Sequence, residues 1–209
     1  APTAVGGSAG RALLERPEPE SSDPLIYAIE TAFTEMVARR RTFVFTGFDN
    51  LEGIQREIRL ISDRMARNEA ERAEHSLIQL IERQSGQSRI EDLVKTLTAV
   101  ADVARKTGYI IFAERILKGI FISGVEDCAA VCVRAEIFKD RSQFEEALQI
   151  LEEAILRFPN NVVARNARAE TLRALGRLPE ALSAIEETID QFPNNVVARN
   201  ARAETLRAL

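Results

Sequence analysis

The chain has no tryptophan, one histidine, two cysteines and seven prolines in 209 residues, and no uncharged run long enough to cross a bilayer. Each shortage excludes something. Two cysteines, Cys128 and Cys132, are too few for the disulfide framework of a small secreted scaffold, and no secretory signal precedes them. They are expected as free thiols of a reducing, cytoplasmic compartment. His75 sits in the charged stretch 71–75 with no second imidazole near it in sequence, and two thiols alone make an incomplete metal site, so a surface histidine and no cofactor are expected. Charge-free stretches such as residues 119–125 fall far short of the roughly eighteen apolar residues of a spanning helix. No Gly-rich loop followed by lysine offers a phosphate cradle, and the carboxylates are spread along helix faces without an acid and base pair, so catalysis is not expected.

What is present describes a globular protein. Hydrophobic residues make up 45% and charged residues 29%, and a chain of this length forms one or two domains able to bury roughly 70% of its unfolded surface. Lys plus Arg of 28 against Asp plus Glu of 32 leaves a net charge of -4, which does not build the positive field that nucleic acid or anionic lipid attracts. Ala1 in place of methionine, with Gly6, Gly7, Ser8 and Gly10 behind it, marks residues 1–22 as a linker or an expression scar, so the chain reads as an excised piece.

The informative feature is self-similarity. Residues 158–175, FPNNVVARNARAETLRAL, recur letter for letter as residues 192–209, an offset of 34. Surface positions repeat along with core ones, which points to recent duplication or to engineering; the sequence does not separate the two. Each unit carries apolar residues at helical spacing, breaks at Gly or at Phe-Pro-Asn-Asn, and is too short to bury both faces of its helices alone. Asn160 or Asn161 is placed to cap a helix from Val162, and Asn194 or Asn195 one from Val196, while Pro159 and Pro193 stop the preceding helices.

In unit 162–195 the slots are Ala169, Leu172, Gly176, Ala181, Ile185 and Pro193; unit 128–161 fills them without a gap with Ala135, Phe138, Phe144, Ala147, Leu151, Ala154 and Pro159. Unit 94–127 offers Leu97, Val100, Ala101, Gly108, Ala113, Leu117 and Ile120, with Val125 where proline would close it. This pattern resembles the tetratricopeptide repeat (TPR) over residues 94–209, ending in a half unit 196–209. The resemblance implies an all-α, right-handed helical-repeat solenoid, preceded here by an N-terminal helical segment, residues 23–93. Arg165, Arg168, Arg199 and Arg202 depart from the pattern by standing where Trp and Leu are usual, so their stems must pack or the helices must rotate.

In the N-terminal segment, Asp23 before Pro24 signals a helix over about 24–41 with Leu25, Ile29, Phe33, Met36 and Val37 on one face. Arg39, Arg40 and Arg41 then meet the carbonyl end of its dipole, a simpler reading than a phosphate site. Residues 42–48 are β-branched and aromatic and read as an extended connection. Leu51, Ile54, Ile58, Ile61 and Met65 form a two-heptad seam on a helix running to about 83, which packs inside the chain or pairs two copies.

The resemblance also implies a site. In such repeats the first helix of each unit lines a concave groove with its second, fifth, ninth and twelfth positions. Here the fifth is Thr98, Cys132, Asn166 or Asn200, the ninth is always acidic (Asp102, Glu136, Glu170, Glu204), and the twelfth always basic (Arg105, Lys139, Arg173, Arg207). One expectation is a ladder of i,i+3 ion pairs that satisfies itself in solvent. The other is a polar groove in which asparagines bond a bound backbone and charges select side chains. The lysine and asparagine clamp of chaperone-tail binders is absent at these slots. A resemblance of NVVARN and GRLPEAL to the pentatricopeptide pattern would imply single-stranded RNA, but its usual period is 35 and units 128–161 and 162–195 are net acidic.

The expectation is therefore a non-catalytic protein-interaction module binding a partner peptide or helix. The alternatives are a structural or oligomerisation spacer in a larger, enzyme-bearing protein, and an RNA-binding array. Val196, Leu206 and Leu209, on a final helix without its hairpin partner, are expected either to drive self-association or to fray.

Overall fold

The computed structural model describes residues 21–40, 51–87 and 89–209. Among them are ten helices and no strand: α1 Pro24–Arg40, α2 Leu51–Ala66, α3 Ala70–Gln87, α4 Ile90–Lys106, α5 Ile110–Ile122, α6 Cys128–Asp140, α7 Phe144–Arg157, α8 Val162–Ala174, α9 Leu178–Gln191 and α10 Val196–Ala208. The expected extended stretch 42–48 and most of the expected linker, residues 1–20, lie outside the described residues.

The hairpins share one turn. Gly108, Ser142 and Gly176, spaced by 34, all adopt left-handed backbone (φ 87°, 60° and 73°). In each, the following N–H reaches back to the last turn of the first helix: Tyr109 N to Ala104 O at 2.8 Å, Gln143 N to Phe138 O at 2.9 Å and Arg177 N to Leu172 O at 3.0 Å. This satisfies carbonyls that a helix end would otherwise leave unpaired and reverses the chain in three residues. The next unit opens on an equally periodic cap. Asp127, Asn161 and Asn195 accept from Ala130, Ala164 and Ala198 N–H groups at 2.8, 3.2 and 3.0 Å, which settles the asparagine alternatives on the second of each pair.

The long helix expected from Leu51 to about 83 is two helices. Asn68 takes the left-handed conformation (φ 61°), with Asn68 N to Met65 O and Glu69 N to Arg64 O both at 2.8 Å, the same reversal that joins the later hairpins. Asparagine tolerates this backbone better than most residues, and the broken heptad after Met65 leaves nothing to hold a straight helix through it. A second difference is at α4, which starts at Ile90, one turn ahead of residue 94.

Helices α2, α4, α6, α8 and α10 form one row, each packing on the next member, and their hairpin partners lie behind them. α1 does not join this row; it lies against α3 and α5. Its apolar face (Leu25, Ile29, Phe33, Met36) enters the same core as Ile61 and Met65 of α2, Leu77 and Ile81 of α3, and Leu97 and Ile116 of α4 and α5. The expected seam is thus consumed inside the chain at Ile61 and Met65, with Ile58 packed beside them, and these residues are not free to pair two copies. Arg115 locks the start of α1. Its guanidinium bonds Asp23 at 2.5 and 2.7 Å and Glu74 at 2.6 and 2.7 Å. The bonds to Glu74 and Asp23 raise its pKa, and the bond from Arg115 holds the Asp23 carboxyl below the usual carboxylate range.

α1 reaches α5 across Gly119. A Cβ there would stand 2.8 Å from Ile29 Cδ1 and 3.0 Å from Ile29 Cβ and Cγ2, in a fully buried contact. Replacing Gly119 by alanine should therefore push α1 off α5 and cost about 1–3 kcal/mol in urea denaturation despite alanine's better helix propensity. A neutral or stabilising result would show that this contact is not close-packed.

Candidate functional site

The face shared by α4, α6, α8 and α10 carries the sequence-predicted residues, and its charges are joined across units as well as within them. Within α4, Asp102 meets Arg105 at 3.0 Å and Lys106 at 2.5 Å; within α6, Glu136 meets Lys139 at 2.9 Å. These are the expected i,i+3 contacts, with Lys106 added. The twelfth-position bases then reach forward to the next helix of the row: Arg105 to Asp140 at 2.8 Å, Lys139 to Glu170 at 3.2 Å and Arg173 to Glu204 at 2.9 Å. Spacing along one helix cannot foresee these contacts, and Asp140, one turn beyond the ninth position, went unnoticed for that reason. Glu170 and Arg173 do not pair with each other; each bonds a neighbouring unit instead.

The two signs are not equally placed. The Lys139 side chain is 11% exposed and the carboxylate of Glu170 above it 66%, so the base lies under the acid and the acid meets solvent. Burial alone would lower the pKa of Arg105, but the bonds to Asp140 and Asp102 outweigh it and hold the guanidinium above its ordinary value. Arg207 makes no ion pair among the described residues.

The fifth positions divide along the array. Thr98 is buried with its hydroxyl unpartnered. Cys132, expected to reach the groove, does not: it is buried with Ala135, Ala147, Leu151 and Ala164 between α6, α7 and α8. A small, polarisable side chain at a tight crossing packs as a hydrophobe. Burial pushes its thiol up to about 12 and raises that of Cys128 as well. Asn166 is half-buried and Asn200 exposed, and neither side-chain amide makes a hydrogen bond among the described residues. Beside them, at the second position, Val163 and Val197 are 58% and 61% exposed. The sequence carried this last signal, since the second position was part of the implied pattern, but its residues were not read out.

The arginines that stand where Trp and Leu are usual have, at Arg165, Arg168 and Arg199, found another task. Arg165 donates from Nε and Nη2 to the carbonyl of Pro159, both at 3.1 Å, and Arg199 donates from Nη2 to the carbonyl of Pro193. Arg168 bonds Glu152 at 3.3 Å and lies 3.9 Å from Glu187. Arg165 and Arg199 tie their helices to the loop before, and Arg168 ties α8 to α7 and α9. Elsewhere, Arg39 donates to Ser85 O at 2.8 Å, His75 is exposed against Gln79, and among the described residues no group of three or more His, Cys, Asp or Glu could hold a metal ion. No helix among them is long and apolar enough to cross a membrane.

Residues 140–206, from the end of α6 into α10, match a family model described as tetratricopeptide repeat. Comparison with curated proteins returns no match.

The buried thiols give a direct check on the packing of this face. With a pKa of about 12 for Cys132, about one thiol in ten thousand is ionised at pH 8. Native protein should therefore react with a thiol reagent at least about a hundredfold more slowly than protein in denaturant. Rapid native labelling of Cys132, located by mass spectrometry, would place it on the groove surface after all.

Proposed function

We propose, for a chain that is a tetratricopeptide-repeat-like protein and hence in general terms a protein-interaction module, that partner binding is non-catalytic and occurs on the face of α6, α8 and α10. The array is read as units 94–127, 128–161 and 162–195 with a half unit 196–209, behind the N-terminal segment 23–93. The observation that carries this reading is the contrast on one face. Its carboxylates Glu136, Glu170 and Glu204 are ion-paired, yet among the described residues the amides of Asn166 and Asn200 have no hydrogen-bond partner, and two valines stand in solvent beside them. A partner backbone supplies the missing donors and acceptors, and apolar side chains cover Val163 and Val197. Glu136, Lys139, Asp102 and Arg105 hold the floor of the site, with Glu170, Arg173, Glu204 and Arg207 along it.

A test should leave the ladder intact, because a lysine at position 136 would face the nearly buried Lys139. Asn166→Arg and Asn200→Arg instead obstruct the face at side chains with no internal bonds, so the double variant should melt within about 2 °C of the parent. Expected in a nuclease-treated pull-down from source lysate is a protein partner held by the parent and lost by the variant. Identical partner sets for both would mean that binding lies elsewhere, and partners lost on nuclease treatment alone would point to RNA.

A second reading, a self-associating spacer, is favoured by α10. Leu206 is 54% exposed while Leu172, its counterpart in an identical segment, is 1% exposed. With Val196 and Leu209 also in solvent, copies of this chain associate through that helix. Light scattering across a concentration series should then show dimers that Leu206→Glu returns to monomer, whereas a parent that stays monomeric at about 100 µM removes this reading.

A further inference from the structure

We propose that the face formed by α8 and α10 reads an extended segment in which an apolar and a basic residue recur together about every three residues. This deepens the reading of that face as a protein-binding site and rests on it.

The argument starts from identity. α8 and α10 have the same sequence, so Val163, Asn166 and Glu170 on one helix and Val197, Asn200 and Glu204 on the other form two copies of one subsite. Both valines are exposed to nearly the same degree, both amides are unpartnered, and both carboxylates point to solvent above a base from the previous unit, Lys139 or Arg173. Two equal subsites are both filled only by a ligand that repeats. Neighbouring packed helices lie about 8–10 Å apart, and a polyproline II chain rises about 3.1 Å per residue with three residues per turn, which brings every third side chain to the same face, so the ligand repeats after about three residues.

Charge fixes the sign of the second element. In each subsite the carboxylate is more exposed than the base that reaches it from the previous unit: the side chain of Glu170 is 66% exposed against 11% for Lys139, and that of Glu204 56% against 30% for Arg173. An incoming Lys or Arg adds a second cation to a carboxylate already held in place, at the more exposed member of each pair, whereas an acidic residue would meet the carboxylate directly. The valine offers the apolar contact and the amide holds the backbone between them.

Fluorescence anisotropy with three labelled synthetic peptides tests this on the full chain: four Ile-Ser-Lys triplets, four Ile-Ser-Glu triplets, and a peptide of the first composition with its isoleucines and lysines segregated to opposite ends. The Lys triplets should bind at least about tenfold more tightly than either control. Glu170→Gln and Glu204→Gln should each weaken that binding by a similar factor, and the double variant more than either, with unchanged circular dichroism. Equal or tighter binding of the Glu triplets or of the segregated peptide overturns the inference while leaving the face as a protein site. Failure of all three peptides to bind also overturns it, and the Asn166→Arg, Asn200→Arg pull-down then judges the broader reading by itself.

Discussion

A hairpin of two helices of thirteen to seventeen residues has an apolar side on each helix and no means of covering both. Everything in this chain after residue 90 follows from that constraint. The left-handed residue at Gly108, Ser142 and Gly176 folds each pair back on itself, and alanines at the crossing, Ala135 against Ala147 and Ala169 against Ala181, let the backbones approach closely. The faces left over are buried only by the next hairpin. Stability in such an array is a sum over neighbours, and small residues at each crossing keep any single interface modest.

The load is unevenly divided along the chain. Most of the large fully buried side chains, among them Phe33, Leu25, Ile61, Leu77, Leu97 and Ile116, lie at or before Ile137, against Leu151, Leu172 and Ile185 beyond it. α1 is the reason: it fills the space between α3 and α5, brings four large apolar residues with it, and is fixed at its start by Arg115. Beyond α6 the core is made mainly of alanine, leucine and a few threonines whose hydroxyls bond back to their own helix, as Thr171 does to Ala167 at 2.8 Å. One end is a rigid anchor. The other holds its shape by ion pairs across the row and keeps apolar and amide groups in solvent, the division expected where a stable scaffold carries an accessible surface.

What the sequence made legible was whatever is local and periodic. Gly108 and Gly176, the Phe-Pro-Asn-Asn break and the recurring alanines are sufficient for the repeat units and for the helix starts at Cys128, Val162 and Val196, whereas Ser142 in the same left-handed turn position carries no such signal. Features depending on distant neighbours were not legible. Lys139 was assigned to Glu136 because both are on one helix, and its second partner, Glu170, came into reach only when the units stacked. Cys132 was placed in the groove by a positional rule, but the rule does not weigh a thiol's preference for the crowded crossing beside Ala164. The bend at Asn68 was hidden by charged residues that fit a helix equally well on either side of it; only the left-handed conformation of the asparagine shows why the helix stops.

The exact repeat separates these two kinds of information within one molecule. Residues 162–174 and 196–208 form helices of the same length, each capped by the preceding asparagine, each with an arginine bonding the proline carbonyl before it and a threonine bonding the carbonyl one turn back. Local sequence accounts for all of that. Yet Leu172 is buried and Leu206 exposed, Arg168 has acidic partners where Arg202 has none among the described residues, and Arg173 meets Glu204 while Arg207 meets nothing. Identical residues therefore differ in what they can offer a ligand according to what packs beside them. The subsite valines Val163 and Val197 keep nearly the same exposure in both settings, and the amides of Asn166, half-buried, and Asn200, exposed, both lack a hydrogen bond among the described residues. That constancy, at positions where the surroundings had every opportunity to make the two copies differ, is what sets this face apart from the rest of α8 and α10.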